Sequence, residues 1–260
     1  MHGAAIITGA ANRIGKALTL SLARAGFDVI VHYNTSELEA KAVADKAKEF
    51  GVEAHILRAN LLNDREVRNV IANANKILGK PLTVLINNAS IFEYDTLFSA
   101  TLESWDRHLA SNLKAPLFLM QHFAKQVPCA VEDNRGEALA LANIINIVDQ
   151  RVLKKTPEFL TYSLAKMALW SLTQTSAQAL APNIRVNAIG PGPTLKGHRQ
   201  SEEHFAAQRR NTILERGASP DEIAKALHFI LNSCSLTGQL ICIDGGQHLA
   251  WKTPDILGIE

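Results

Sequence analysis

Short apolar runs alternate with amphipathic stretches of helical period along almost the whole of this 260-residue chain, and this alternation constrains the fold more than any single motif. The runs are Ala4–Ile7, Asp28–Tyr33, Glu53–Leu57, Leu82–Asn87, Asn143–Asp149, Ile184–Ile189 and Gln239–Asp244. Between them the spacing of apolar residues predicts helices over Arg13–Ala25, Ser36–Phe50, Asp64–Leu78, Leu102–Asn112, Pro116–Val127, a long one holding Tyr162 and ending near Leu180, and Pro220–Leu231. Strands that are apolar throughout bury both faces, and helices between successive strands allow parallel crossovers. The expected architecture is therefore α/β: one doubly wound parallel sheet covered by helices on both sides. Two polar insertions interrupt the pattern, Val131–Glu137 and Pro193–His204. Ligands of such sheets bind at the carboxyl ends of the strands, which makes the second insertion a candidate substrate lid, spanning about 193–215. The domain then covers 1–250, with 251–260 as a tail.

Composition narrows the class of partner. Hydrophobic residues make up 47% and charged residues 20%, as in ordinary globular proteins. A formal net charge of +2 gives no broad attraction to nucleic acid or to an anionic membrane. No apolar run approaches the ~18 residues of a membrane span. Three cysteines without C-x-x-C spacing argue against a disulfide scaffold and a zinc site, so no metal is expected. The start of the chain has no basic stretch ahead of Ala4–Ile7, which therefore reads as a strand and not a signal peptide. A cytoplasmic protein that acts on a small molecule is the expectation.

Two motifs carry chemistry. The first is the turn Thr8-Gly-Ala-Ala-Asn-Arg-Ile-Gly15, which follows the first strand and opens the first helix. Helix N–H groups and the helix dipole at such a turn receive a pyrophosphate, with Gly9, Arg13, Ile14 and Gly15 nearest it. The middle glycine of the usual spacing is missing and Arg13 stands nearby, offering several fixed donors to phosphate. The second is Tyr162-Ser-Leu-Ala-Lys166, whose tyrosine and lysine lie one turn apart on the same helix face. An ammonium near a phenol favours the phenolate, and so is expected to lower the tyrosine pKa from about 10. Thirteen residues before the tyrosine stands Asp149. The second strand ends His32-Tyr33-Asn34-Thr35-Ser36 with no carboxylate before Glu37. Without an acidic residue for the ribose hydroxyls, Arg13 and Ser36 are free to take a 2′-phosphate, which favours NADPH over NADH.

These residues, together with Asn87-Asn-Ala89, Asn112, Pro191-Gly192 and Asp244-Gly-Gly246, resemble the short-chain dehydrogenase/reductase family over almost the full length. The resemblance implies a single Rossmann-type domain with a seven-stranded parallel sheet, a nicotinamide cofactor, and a tetramer built through two central helices. It also implies a proton-transfer site of Tyr162, Lys166 and Asn112, in which Lys166 holds the nicotinamide ribose. Pro191, Gly192 and Thr194 would face the nicotinamide. Cofactor contacts would further include Tyr33, Asn34, Asn60, Leu61, Asn88, Ala89 and Ser90. Asp149 replaces the family's usual serine, and Ser90 ends the Asn-Asn-Ala motif just before Ile91-Phe92. Both features, with Arg-Ile-Gly in the turn, resemble the pteridine reductase and dihydromonapterin reductase branch, where an aromatic ring in the place of Phe92 covers the pterin.

Asp149 suits such a substrate, because a carboxyl accepts from ring N–H groups when ionised and donates when protonated. Beside Tyr162 its charge opposes phenolate formation, so the two groups titrate as a coupled pair, with Asp149 the partner and orienter of the proton donor Tyr162 and Lys166 offsetting the like-charge cost. The expected substrate-binding residues are Phe92, Arg13, Asp149 and Tyr162, and the expected activity is NADPH-dependent reduction of pterin or dihydrofolate-like compounds. A broad carbonyl or 3-oxoacyl reductase is the competing enzyme reading. A non-catalytic nucleotide-binding relative is the third, and it leaves Asn112, Tyr162 and Lys166 without a purpose.

Overall fold

A computed structural model of the chain describes residues 3–197 and 199–252; the tail from 253 to 260 lies outside the described residues. The strands are β1 (Ala4–Ile7), β2 (Asp28–Tyr33), β3 (Ala54–Arg58), β4 (Val84–Asn87), β5 (Ala142–Ile147), β6 (Ile184–Pro191) and β7 (Leu240–Ile243). They form one seven-stranded sheet in the order β3-β2-β1-β4-β5-β6-β7, every pairing parallel. The order reverses between β1 and β4, and in open α/β sheets this switch point is where a dinucleotide crosses.

Two layers of helices explain why the strands are apolar throughout. Alternate side chains of β1 point to opposite faces. Ala5 and Ile7 pack with Leu18, Leu22, Val43, Ile223 and Leu227. Ala4 and Ile6 pack with Val67, Ile71, Leu119 and Phe123. The first layer is α1 (Arg13–Arg24), α2 (Glu37–Lys48) and α8 (Pro220–Asn232). The second is α3 (Asp64–Leu78), α5 (Ala115–Ala124) and α6 (Leu160–Leu180). Local chemistry sets the ends. Asn63 caps α3 by accepting from the amides of Arg65 and Glu66, Gly79 ends it at φ 64°, and Ser219 with Glu222 forms a capping box ahead of α8.

Three sequence expectations change. The two helices expected over 102–112 and 116–127 form one continuous path. α4 (Leu102–Leu109) passes through a π-helical turn, Ala110–Lys114, directly into α5. The insertion Val131–Glu137 belongs to a small antiparallel hairpin that pairs Val131–Glu132 with Ala138–Leu139. The lid segment contains a helix of its own, α7 (Glu202–Arg210), capped by the Ser201 hydroxyl. Among the described residues no helix is long and apolar enough to cross a membrane.

Candidate active site

The phosphate turn is built from backbone packing and a buried histidine. Gly9 sits at φ 62°, and a Cβ on Gly15 would lie 2.2 Å from the Gly9 carbonyl oxygen, so the turn closes onto α1 only with glycine there. The Thr8 hydroxyl accepts from the amides of Asn88 (2.9 Å) and Ala89 (3.0 Å), and the Asn88 side chain donates back to the carbonyls of Thr8 and Gly9. This stitches the ends of β1 and β4 together at the switch point.

His32 on β2 has no counterpart in the sequence reading. Its Nδ1 accepts from the Gly9 amide at 3.1 Å, and its Nε2 therefore carries the hydrogen that reaches the Ala59 carbonyl at 3.1 Å. Burial pushes its pKa down to about 4, so it is neutral, as these two bonds require. His32→Phe leaves an amide and a carbonyl buried without partners, at about 1–3 kcal/mol. A lower urea midpoint and weaker dinucleotide binding by fluorescence titration are expected; an unchanged midpoint would show that the imidazole does not hold the turn.

Arg13 stands at φ 53°. Its guanidinium donates to the carbonyls of Lys196 (2.8 Å) and Leu195 (2.9 Å), fastening the phosphate turn to the lid and leaving its other donors outward. Tyr33 is buried at the end of β2, Asn34 is exposed, and Ser36 starts α2 with its hydroxyl making no capping bond. Glu37 is turned onto Lys41 at 2.6 Å. Asn60 spends its side-chain oxygen on the Leu62 amide at 3.0 Å, and the Leu61 side chain packs into the layer beside α3. Ser90 is exposed and donates to the Ile91 carbonyl.

At the carboxyl end of β5 the two acid–base candidates meet. The Tyr162 hydroxyl donates to Asp149 Oδ2 at 2.9 Å, and Asp149 Oδ1 accepts from the Arg151 amide at 2.9 Å. Lys166 is 2% exposed, donates to the Ile147 carbonyl at 2.8 Å, and sits 5.8 Å from the Tyr162 ring centre. Asn112, in the π turn, exchanges two 2.9 Å bonds with the Ile91 backbone. Such turns recur at functional sites because they re-aim one side chain within a helix.

Of the two opposing effects expected on the tyrosine, that of the carboxylate prevails. Burial first, and then the neighbouring Asp149 charge, push the Tyr162 phenol well above its ordinary value, so it is a proton donor and not a phenolate. Burial pushes the Asp149 carboxyl up against the opposing effect of Arg151, and pushes the Lys166 ammonium down to about 8.

Phe92 is 45% exposed and stands outside the core. Its ring stacks on Phe159 (4.3 Å between centres, 7° between planes) and meets Tyr162 edge-on at 4.7 Å. Tyr94 meets the Phe159 ring edge-on at 5.1 Å.

A buried network behind this group fixes the start of α6. Asp95 accepts from the Thr161 amide (3.1 Å), the Thr161 hydroxyl and the Ser104 hydroxyl (3.1 Å). Because Thr161 donates its hydrogen to Asp95, His108 Nδ1 must donate to Thr161 (2.7 Å), leaving Nε2 to accept from the Glu93 amide (3.1 Å). Burial would raise the Asp95 carboxyl, but its Thr161 and Ser104 donors outweigh that and hold it low. The first turn of α6, and Tyr162 with it, is thus capped from a segment 66 residues away.

The segment after β6 reaches the same region. Arg199 donates to the Phe92 carbonyl at 2.6 Å. Arg209 donates to the carbonyls of Pro193 (2.8 Å), Ala218 (2.7 Å) and Gly217 (3.1 Å). Pro191 ends β6. Gly192 lies so close to Asp244 that a Cβ would be 2.6 Å from its Cα, and the Thr194 hydroxyl donates to the Gly192 carbonyl. The order of elements thus gathers Gly9, Gly15, Asn88, Ala89, Asp149, Tyr162, Lys166, Pro191 and Gly192 at the carboxyl ends of the central strands.

A family model described as Enoyl-(Acyl carrier protein) reductase matches residues 9–248. The chain is similar to the 3-oxoacyl-(acyl-carrier-protein) reductase FabG of Staphylococcus epidermidis, at 29% identity over 254 residues covering 96% of this chain and 100% of the relative. Among solved structures it is similar to the FolM alternative dihydrofolate reductase 1 of Brucella suis in complex with NADP, at 42% identity and a TM-score of 0.90. The corresponding Brucella canis structure complexed with NADP gives 41% identity and a TM-score of 0.89, and both matches cover 98% of each chain.

Proposed function

This chain belongs to the short-chain dehydrogenase/reductase family, and we propose that within it the protein is an NADPH-dependent reductase of pterin or dihydrofolate-like substrates. One observation carries the reading: a carboxylate, Asp149, accepts the hydrogen of the Tyr162 phenol at 2.9 Å, and the exposed ring of Phe92 stands 4.7 Å from that phenol. A flat heterocycle seated there finds an aromatic face, an acceptor for its N–H groups and a proton donor. The similarity to alternative dihydrofolate reductases at 41% and 42% identity supports the same reading.

The residues present fit a dinucleotide. The first turn of α1 holds no acidic side chain, and the close approach at Gly15 leaves the helix N-terminus open to a pyrophosphate beside Gly9, Arg13 and Ile14. Tyr33, Asn34 and Ser36 would hold the phosphorylated ribose, and Asn60 and Leu61 the adenine. Asn88, Ala89 and Ser90 would line the middle. Lys166, Pro191, Gly192 and Thr194 would hold the nicotinamide end. NADPH, when bound, supplies the hydride. Tyr162 then gives its proton to the ring nitrogen beside the reduced carbon. Asp149 orients the phenol and takes hydrogen bonds from the heterocycle. Lys166 offsets the cost of negative charge beside the phenol. Asn112, locked to the Ile91 backbone, supports the path by which Lys166 reaches solvent.

With Glu37 engaged by Lys41 and the Ser36 hydroxyl uncommitted, the protein is expected to bind NADPH more tightly than NADH. Ser36→Ala removes a charge-assisted hydrogen bond and is expected to narrow that preference about tenfold. Equal affinities for both dinucleotides in a direct titration would refute it.

The similarity to 3-oxoacyl reductases at 29% identity favours a second reading, in which Asp149 serves carbonyl substrates. Mixing the protein and NADPH with dihydropterins, dihydrofolate, ketones and acetoacetyl thioesters separates the two, and indifference to every pterin would leave the second. Assembly as a homotetramer is supported by the partly exposed Trp105, Leu117 and Phe118 on α4 and α5 and Leu164 on α6.

A further inference from the structure

Arg151 follows Asp149 by two residues, and its guanidinium lies over the rings of Phe159 and Phe92. Its amide donates to Asp149 Oδ1, and its guanidinium Nε stands 4.0 Å from the same oxygen. The guanidinium carbon lies 4.7 Å from the Phe159 ring centre and 5.8 Å from that of Phe92, and Nη1 reaches the Thr156 hydroxyl at 3.4 Å. Planar stacking on an aromatic face holds a guanidinium at a fixed distance in a way a lysine ammonium cannot reproduce. Phe159 is itself fixed at φ 54° at the mouth of α6 and stacked on Phe92.

We propose that Arg151 is a positioning residue that holds Asp149 as the ionised, acceptor-only partner of Tyr162. The proposal rests on the proton-transfer role given above to Asp149 and Tyr162. Its consequence under that reading is selectivity: an ionised carboxylate welcomes the N–H groups of a pterin, whereas a carbonyl oxygen needs a donor.

Of the groups facing Asp149, Arg151 opposes its protonation most, ahead of the Tyr162 hydrogen bond and the Lys166 charge. From α6 come Tyr162, a neutral phenol, and Lys166, whose ammonium donates to the Ile147 carbonyl. From β7 comes Cys242, whose thiol is pushed up to about 12 by burial and then by the charges of Asp244 and Asp149, and so stays neutral. Burial of Asp149 favours its protonated form, and Arg151 opposes this both through its amide and through its charge. An opposite charge within ~4–6 Å lowers a carboxyl pKa by about 1–3 units. Loss of the guanidinium charge therefore raises the midpoint of Asp149, and the carboxyl gains a proton at pH values where the parent enzyme keeps it ionised.

Carbon-13 NMR of the aspartate-labelled full-length protein, with Asp149→Asn to assign the signal, tests this in Arg151→Gln and Arg151→Lys. Thermal melts establish that each variant is folded. In Arg151→Gln the Asp149 midpoint is expected to rise by about 1–3 pH units, and in Arg151→Lys by less. The acid limb of kcat/KM for dihydropterin should move upward by the same amount, so that activity lost at neutral pH returns as the pH is raised. A merely structural role would raise KM at all pH values and leave the limb in place. An unmoved Asp149 midpoint in folded Arg151→Gln overturns the proposal, whatever the substrate. A moved midpoint in an enzyme that reduces ketones and ignores dihydropterins upholds it and defeats the pterin reading instead.

Discussion

Tyr162→Phe is expected to lower turnover by about 10²–10⁴-fold, the range for loss of a general acid, while NADPH binding persists. The reason lies in which atoms change. The ring remains, with its edge contact to Phe92 at 4.7 Å, and only the hydroxyl that donates to Asp149 is lost. Burial and the Asp149 charge keep that hydroxyl protonated through the neutral range, as the proposed proton transfer requires. Its own ionisation therefore does not set the alkaline limb of the pH profile. Lys166, pushed down to about 8 by burial, loses its charge there, and activity should fall as the pH rises through that value. Single-turnover kinetics and a direct NADPH titration check the two halves separately. Near-normal turnover in the phenylalanine variant would remove Tyr162 from the mechanism.

The sequence showed the layers of the fold because burial on both faces makes a parallel strand apolar from end to end. Strands such as Asp28–Tyr33 and helices such as Asp64–Leu78 carry their own end signals and have the expected bounds. Features that depend on distant partners were not legible. Asp95 is an isolated aspartate in a loop, and nothing near it shows that it will cap α6 across 66 residues. His32 reads as an interior strand residue until the fold brings Gly9 and Ala59 to its two nitrogens. The π turn at Ala110–Lys114 continues an ordinary helical pattern, and only packing against Ile91 re-aims Asn112. Arg209 stands beside a second arginine in the sequence, and its three carbonyl partners lie in segments on either side of α7. One missed element did carry a local signal: Ser201-Glu-Glu203 is the start of a helix, with a capping hydroxyl and acidic first-turn residues. Which of the two opposing effects on Tyr162 prevails was not legible for a related reason. Tyrosine and lysine one turn apart suggest a phenolate, but the fold turns the lysine onto Ile147 and gives the phenol to a carboxylate.

Asp149→Ser is expected to lower kcat/KM for dihydropterin by about 10- to 100-fold while sparing or raising ketone reduction. Hydrogen bonds to charged groups contribute about 1.5–3 kcal/mol, and the substitution loses those a carboxylate makes to Tyr162 and to a heterocycle. A serine hydroxyl is shorter and can donate, which suits a carbonyl oxygen. The change also removes the negative charge that holds the Tyr162 phenol up, so the phenol becomes easier to ionise and the alkaline behaviour of the variant should alter. Phe92→Ala supplies an independent arm, because it leaves the Asp149–Tyr162 bond in place and removes an aromatic face. A stacked pair contributes about 0.5–1.5 kcal/mol beyond buried area, so the pterin KM should rise by up to about tenfold with a smaller change in kcat. The ring lies 45% exposed, so its loss should cost little stability, which a thermal melt can verify. If the protein is a carbonyl reductase that tolerates the carboxylate, the forecasts reverse: Asp149→Ser improves every substrate and Phe92→Ala changes none. Steady-state kinetics of the two variants on one dihydropterin and one ketone decide between these patterns, and improved turnover of both substrates by Asp149→Ser would refute the pterin site.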